Sequence, residues 1–175
     1  MIWLILILAL FVVMFAGVLL VGAPFLPTLR RQTEEAIGLL DLKPGQSLLD
    51  LGSGDGRVLK LAAQHGIQAR GYEINPLLVL VSMFHCLKER QHVTVRWSNF
   101  WTTPIGEADA IYVFLLKRYM TKLDNKITHE ITKPTKVISF AFAFPDRTPI
   151  KTKNGLMLYE FKPEAKSSGN PLRHQ

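Results

Sequence analysis

An α/β fold with a mostly parallel sheet, closed by a C-terminal antiparallel strand and preceded by one transmembrane helix, is predicted by three observations. Ser47 to Leu51 is a short apolar run that breaks into a glycine turn and restarts as a helix near Val58, a strand–turn–helix unit. Helical and strand-like patterns alternate from there to Ala143, as a parallel sheet with crossover helices requires. Residues Ile2 to Val21 carry no charged side chain.

With that apolar segment set aside, the 175-residue chain holds one domain with one core. Its single cysteine, Cys86, excludes an intramolecular disulfide framework and a Cys-rich zinc site, and no metal is expected. At 1.5 Å per residue, Ile2 to Val21 would reach about 30 Å, the thickness of a bilayer's hydrocarbon core. The expectation is therefore a single-pass helix through the membrane lipid bilayer. A cleaved signal peptide is disfavoured, because no basic region precedes the run and Pro24 follows the only small-residue site, Val21-Gly22-Ala23. Arg30, Arg31 and Lys43 all follow the span, which by the positive-inside bias puts the catalytic domain in the cytoplasm.

Pro24 to Thr28 reads as a linker, and Thr28 or Thr33 as the cap of a helix to Leu40 with Leu29, Ala36, Ile37 and Leu40 on its apolar face. Lys43-Pro44-Gly45-Gln46 then turns into the first strand. That strand ends in Asp50-x-Gly52-x-Gly54-x-Gly56. Without Cβ atoms, the three glycines accept positive φ and let backbone N–H groups approach a ligand closely. Ser53 or Asp55 is expected to cap the helix over Val58 to His65, which Gly66 stops. A pyrophosphate would be repelled by Asp50, so a cationic ligand is favoured. The second strand, Gln68 to Tyr72, ends in Glu73, where an acidic residue in such folds grips ribose hydroxyls. A ligand with a ribose, no phosphate, an ammonium and a sulfonium satisfies both carboxylates: S-adenosylmethionine.

The Asp50 to Gly56 turn together with Glu73 resembles the class I S-adenosylmethionine-dependent methyltransferases, which have a Rossmann-like sandwich fold. Pro76 opens the next helix, expected to run to about Arg90 with Leu77, Leu80, Val81, Phe84 and Leu87 at helical spacing. His85 and Cys86 within it are read as structural. Val93 to Trp97 is a third strand, followed by Ser98-Asn99-Phe100-Trp101. The resemblance implies that Asn99, where the family commonly has an acid, reads the adenine amino group, with Phe100 or Trp101 packing on the ring. Asp109 to Leu116 is a central strand, apolar on both faces. The loop after it, Leu116-Lys117-Arg118-Tyr119, lacks the [DNS]-P-P-[YFW] pattern of enzymes that methylate exocyclic base amines, so a nucleic-acid partner is not favoured.

Tyr119 to Ile131 reads as a helix with Tyr119, Leu123, Ile127 and Ile131 inward. Arg118, Lys122 and Lys126 form a basic row beside it, either a solvated face or, at a formal charge of +7, a contact for anionic lipid or an acidic partner. Thr135 to Ala143 is a fifth strand, with Phe140, Phe142 and Phe144 expected on one face. Ile150 to Lys153 and Leu156 to Phe161 form a hairpin across Asn154-Gly155.

Together with the N-terminal apolar segment, Phe25-Leu26-Pro27-Thr28, Gly71-Tyr72-Glu73-Ile74-Asn75-Pro76 and the Phe144-Pro145 after strand five, these motifs resemble the small membrane-anchored protein-lysine methyltransferases of the ATP synthase c-subunit and adenine nucleotide translocase. Arg147 stands where that family tends to have Trp. The resemblance implies a cofactor site of Asp50, Gly52, Ser53, Gly54, Gly56, Glu73, Asn75, Asn99 and Phe100, no named general base, and a membrane or membrane-proximal protein substrate. A methyltransferase for a quinone- or phospholipid-type acceptor and a non-catalytic cofactor-binding module, or one acting on RNA, remain as alternatives. The expected organisation is an anchor at residues 1–23, a linker and covering helix at 24–46, the methyltransferase domain at 47–162 and a disordered tail at 163–175.

Overall fold

The computed structural model describes residues 2–5, which are helical, and 30–164. Seven strands form one sheet: β1 (Ser47–Leu51), β2 (Gln68–Glu73), β3 (Val93–Trp97), β4 (Ala110–Val113), β5 (Thr135–Phe140), β6 (Lys151–Lys153) and β7 (Leu156–Phe161). Their order is β3-β2-β1-β4-β5-β7-β6. The first five are parallel, and β7 runs antiparallel to both β5 and β6. Helices α1 (Arg30–Leu40), α2 (Arg57–Gln64), α3 (Pro76–His85) and α4 (Met120–Glu130) cover the sheet.

Successive residues of a strand face opposite sides, so β1 feeds two cores. Leu48 packs with Ala36, Leu40, Val58, Leu59 and Ala62 beneath α1 and α2. Leu49 and Leu51 pack with Met120, Leu123, Ile127 and Phe161 on the α4 side. Winding from β1 goes one way through β2 and β3 and the other way through β4 and β5, which opens a crevice beyond the carboxyl ends of β1 and β4. The link from β3 to β4, all of it described, contains no helix. Residues 98–109 instead cross the α4 side of the sheet, held by Tyr72 Oη donating to the Pro104 carbonyl (3.0 Å), Arg70 Nη2 to the Ile105 carbonyl (2.7 Å) and the Ile105 N–H to Glu130 Oε2 (2.9 Å).

Four expectations are corrected. Among the described residues no helix is long and apolar enough to cross a membrane, so the single-pass anchor, its bilayer contact and the cytoplasmic orientation derived from it are not upheld. Of that stretch only residues 2–5 are described; the remainder, with the 24–28 linker, lies outside the described residues, as does 165–175. An apolar run of sufficient length permits a span without dictating one. Secondly, α3 ends at His85, followed by a single 3-10 turn at Leu87–Glu89, and its buried side is Leu78, Val79 and Ser82, while Leu80, Val81, Phe84 and Leu87 are exposed. The sequence Pro-Leu-Leu-Val-Leu-Val-Ser-Met-Phe-His is apolar almost all round, so periodicity cannot phase it. Thirdly, β5 ends at Phe140 because Ala141 adopts φ +70°. That residue breaks the alternation: Phe140 packs against the α1–α2 side with Phe114, whereas Phe142 and Phe144 join the α4 side. Lastly, the basic row is not a continuous solvated face. Lys126 pairs with Glu130, and Arg118 and Lys122 lie over aromatic rings.

Candidate cofactor and acceptor site

The turn after β1 folds back on β2. The N–H groups of Gly52 and Ser53 both donate to the Tyr72 carbonyl, at 2.9 and 3.0 Å, and Gly56 N–H donates to the Ser53 carbonyl at 2.9 Å. This path requires φ of +90°, +56° and +80° at Gly52, Gly54 and Gly56, where a Cβ is strained. Gly56 occupies the N-cap position of α2, Ser53 makes no cap bond, and Asp55 Oδ1 accepts only a long 3.5 Å bond from Arg57 N–H. Asp55 instead holds the Arg57 guanidinium, with Nε at 3.0 Å from Oδ1 and 3.1 Å from Oδ2.

Glu73 is the clasp of the site. Its Oε2 accepts from Gly54 N–H at 2.9 Å and its Oε1 from Asn75 N–H at 2.8 Å, so one buried carboxylate ties the glycine turn to the start of α3. Asn75 Oδ1 caps α3 by accepting from Leu77 N–H at 2.9 Å. Asp50 is 2% exposed on the neighbouring strand. Burial, and then the negative charges of Glu73 and Asp55, push its carboxyl well above the usual carboxylate range. Such a group is relieved by a cation brought close to it.

Two side-chain atoms at this turn, Ser53 Oγ and Asn75 Nδ2, are buried without a hydrogen-bond partner among the described residues. At Gly52 an added Cβ would meet nothing within 4 Å, so the turn borders open space there. An acid needing a cation, orphaned polar atoms and an open glycine cradle fit S-adenosylmethionine. Gly71, which is not among the predicted site residues, also shapes the turn: a Cβ there would lie 2.5 Å from Ser53 Oγ and 2.6 Å from Leu59 Cδ1. A glycine inside a strand is the signal of such close approach.

The predicted adenine residues adjoin Glu73. Trp97 is its register partner, and Ser98 N–H donates to its carbonyl at 2.9 Å. Asn99 lies one residue on, but its Oδ1 already accepts from Trp101 N–H at 3.0 Å, so an adenine amino group would share that oxygen's second lone pair. Phe100 is half-buried, with its ring centroid 4.7 Å from that of Trp101. Of the nine predicted residues, Gly54 and Asn75 are thus bonded to Glu73, and Asn99 and Phe100 follow shortly after its register partner Trp97. Among the described residues no cluster of three potential metal ligands occurs.

A family profile described as "ANTKMT methyltransferase domain" matches residues 50–151. The human ATP synthase c-subunit lysine N-methyltransferase is 34% identical over 128 residues, 72% of this chain and 54% of that protein. The mouse adenine nucleotide translocase lysine N-methyltransferase is 32% identical over 130 residues, 73% and 56% of the two. The chain thus spans about half the length of these relatives. A crystal structure of an RNA methyltransferase from Salinibacter ruber with S-adenosyl-L-homocysteine superposes with a TM-score of 0.72 at 27% identity, covering 80% of this chain and 95% of that one. The fold and the matched profile agree: the chain belongs to the ANTKMT methyltransferase-domain family.

Proposed function

We propose that this chain is a protein-lysine N-methyltransferase. The observation that carries the reading is the pair of buried acids beside the glycine turn, Asp50 and the Glu73 that clasps it, in a chain whose matched relatives are named for lysine N-methylation. The proteins in those names, the ATP synthase c-subunit and the adenine nucleotide translocase, are the first acceptors to try.

Bound S-adenosylmethionine supplies an activated methyl group on a sulfonium. Asp50 holds its methionine end in the open space beside Gly52, with Ser53 Oγ and Asn75 Nδ2 completing their hydrogen bonding there. Glu73 presents its remaining lone pairs to the ribose, and Asn99 with Phe100 receives the adenine. These groups fix the donor so that the acceptor can attack in line. The acceptor ammonium first gives a proton to solvent, which a partly apolar pocket assists by lowering its pKa. Its nitrogen then bonds to the methyl carbon as the carbon–sulfur bond breaks.

RNA methylation is the second reading, favoured by the likeness to the Salinibacter enzyme and opposed by the Leu116-Lys117-Arg118-Tyr119 loop. One experiment separates the two. Labelled S-adenosylmethionine is incubated with extract of cells lacking this protein, with wild type or Glu73→Ala added, and the label is fractionated. Label in a discrete protein that hydrolyses to methyl-lysine, and is lost with Glu73→Ala, supports the proposal. Label in RNA or lipid with none in protein overturns it.

A further inference from the structure

Three lysines on and after α4 find oxygen partners. Lys126 pairs with Glu130, Lys133 Nζ donates to Asp109 Oδ1 at 2.6 Å, and Lys136 Nζ to the Leu40 carbonyl at 2.6 Å. Lys122 does not: its Nζ stands 4.5 Å from the centroid of the Trp101 ring, and among the described residues no carboxylate lies within ion-pair distance. An ammonium over an indole face is held by the ring quadrupole, and indole is the strongest such face.

The location gives this contact its meaning. Trp101 belongs to the loop leaving β3 and Tyr119 to the loop leaving β4, and their ring centroids are 5.9 Å apart. Both loops rise from the carboxyl ends of the strands, beside the crevice, and Trp101 N–H is bonded to Asn99, the proposed adenine contact. The indole is fixed by neighbours on both sides, with Phe100 at 4.7 Å. Its tenant is an exposed, four-carbon side chain on a helix, able to swing off at little cost. The face is rigid and the cation on it is replaceable.

We infer that the Trp101 face, edged by Tyr119, docks the ammonium of the acceptor lysine, and that Lys122 occupies this face as a stand-in until the acceptor displaces it. This rests on the lysine-methyltransferase reading. A ring face suits the task because the attraction acts on charge, which the nitrogen keeps in both its unmethylated and methylated cationic forms. A carboxylate there would hold the proton that the amine has to lose.

The test uses the full-length protein and the acceptor protein that takes up label in the extract assay. KM for the acceptor, kcat and S-adenosylmethionine Kd are measured for Trp101→Leu, Trp101→Phe and Lys122→Gln. Trp101→Leu is expected to raise acceptor KM about threefold to tenfold, and Trp101→Phe by less. Lys122→Gln is expected to lower KM, since it removes the competing cation. Cofactor Kd of Lys122→Gln stays within about twofold, and circular dichroism certifies the fold of all three variants. Opposite signs at Trp101 and Lys122 are what a merely structural contact would not give. Acceptor KM unmoved by both changes, or raised alike by both, overturns the docking face and leaves the lysine reading standing. Label that does not hydrolyse to methyl-lysine overturns both.

Discussion

Replacing Asp50 with asparagine should act in opposite directions on stability and on cofactor affinity. Asp50 lies on β1 opposite Gly71 of β2, and Glu73 is two positions further along that strand. With strands about 4.8 Å apart and about 3.3 Å per residue, the two positions stand roughly 8 Å from one another, and at an effective dielectric of about 20 two charges there repel by about 2 kcal/mol. An amide removes that repulsion at a cost of about 1 kcal/mol for imperfect hydrogen bonding. The net gain of about 1 kcal/mol should raise the melting temperature of the cofactor-free protein by about 2–4 °C. The same change removes the charge from a bond to the cofactor ammonium, worth about 1.5–3 kcal/mol, so Kd for S-adenosylmethionine should rise roughly tenfold to 150-fold.

The pH dependence has a definite sign. The folded carboxyl titrates above its unfolded value of about 3.9, so as pH climbs between the two the unfolded chain releases its proton first and stability falls. The advantage of Asp50→Asn should therefore be present at neutral pH and absent below about pH 4. Wild-type affinity should strengthen as pH rises through the raised titration and then level off, whereas the asparagine variant should show neither change. Differential scanning fluorimetry without cofactor, with calorimetric titration across pH, measures both. A variant that melts at or below wild type at neutral pH, or that binds the cofactor as tightly, refutes the reasoning.

Glu73→Gln leaves one amide N–H facing a backbone N–H of Gly54 or Asn75, an orphaned pair costing about 1–3 kcal/mol, so thermal unfolding should fall by roughly 2–10 °C even without cofactor. Gly71→Ala drives a methyl into Ser53 and Leu59; urea unfolding should show a loss of about 1–3 kcal/mol, with weaker cofactor binding because Ser53 is displaced, and an unaltered Kd would show that Ser53 does not contribute. Cys86, with its thiol pushed up to about 11 by burial first and by Glu89 second, should resist iodoacetamide at pH 8 in the folded protein and react only on unfolding.

The parts of this molecule legible in the sequence are those whose signal is local. Glycines at alternate positions with Asp50 before them fix a turn by backbone sterics alone, and Asn154-Gly155 fixes the hairpin of β6 and β7 in the same way, with φ of +49° and +81°. What escaped depends on partners distant in the chain. The phase of α3 is set by the sheet it meets, since its sequence is apolar on nearly every side. The division of Phe140 from Phe142 and Phe144 turns on one residue, Ala141, with a φ that no alanine announces. The carboxylates follow the same division. That Glu73 is acidic and near a glycine turn was readable, but that both its oxygens are engaged by Gly54 and Asn75 was not.

That last difference changes how the site works. A glutamate reserved for ribose could be lost with no effect beyond affinity, whereas one that also staples the β1 turn to α3 makes the shape of the glycine cradle depend on its two hydrogen bonds. Asp50, two strand positions away and buried, is destabilised by that same charge. In the proposed site the cofactor's ammonium would offset the repulsion, so binding should tighten the turn as well as fill it. Cofactor should accordingly protect the amides of Gly52, Gly54 and Asn75 from hydrogen exchange more in wild type than in Asp50→Asn, where no repulsion is left to relieve. Equal protection in the two proteins would mean that the acid pair is only a pair of contacts and not a spring.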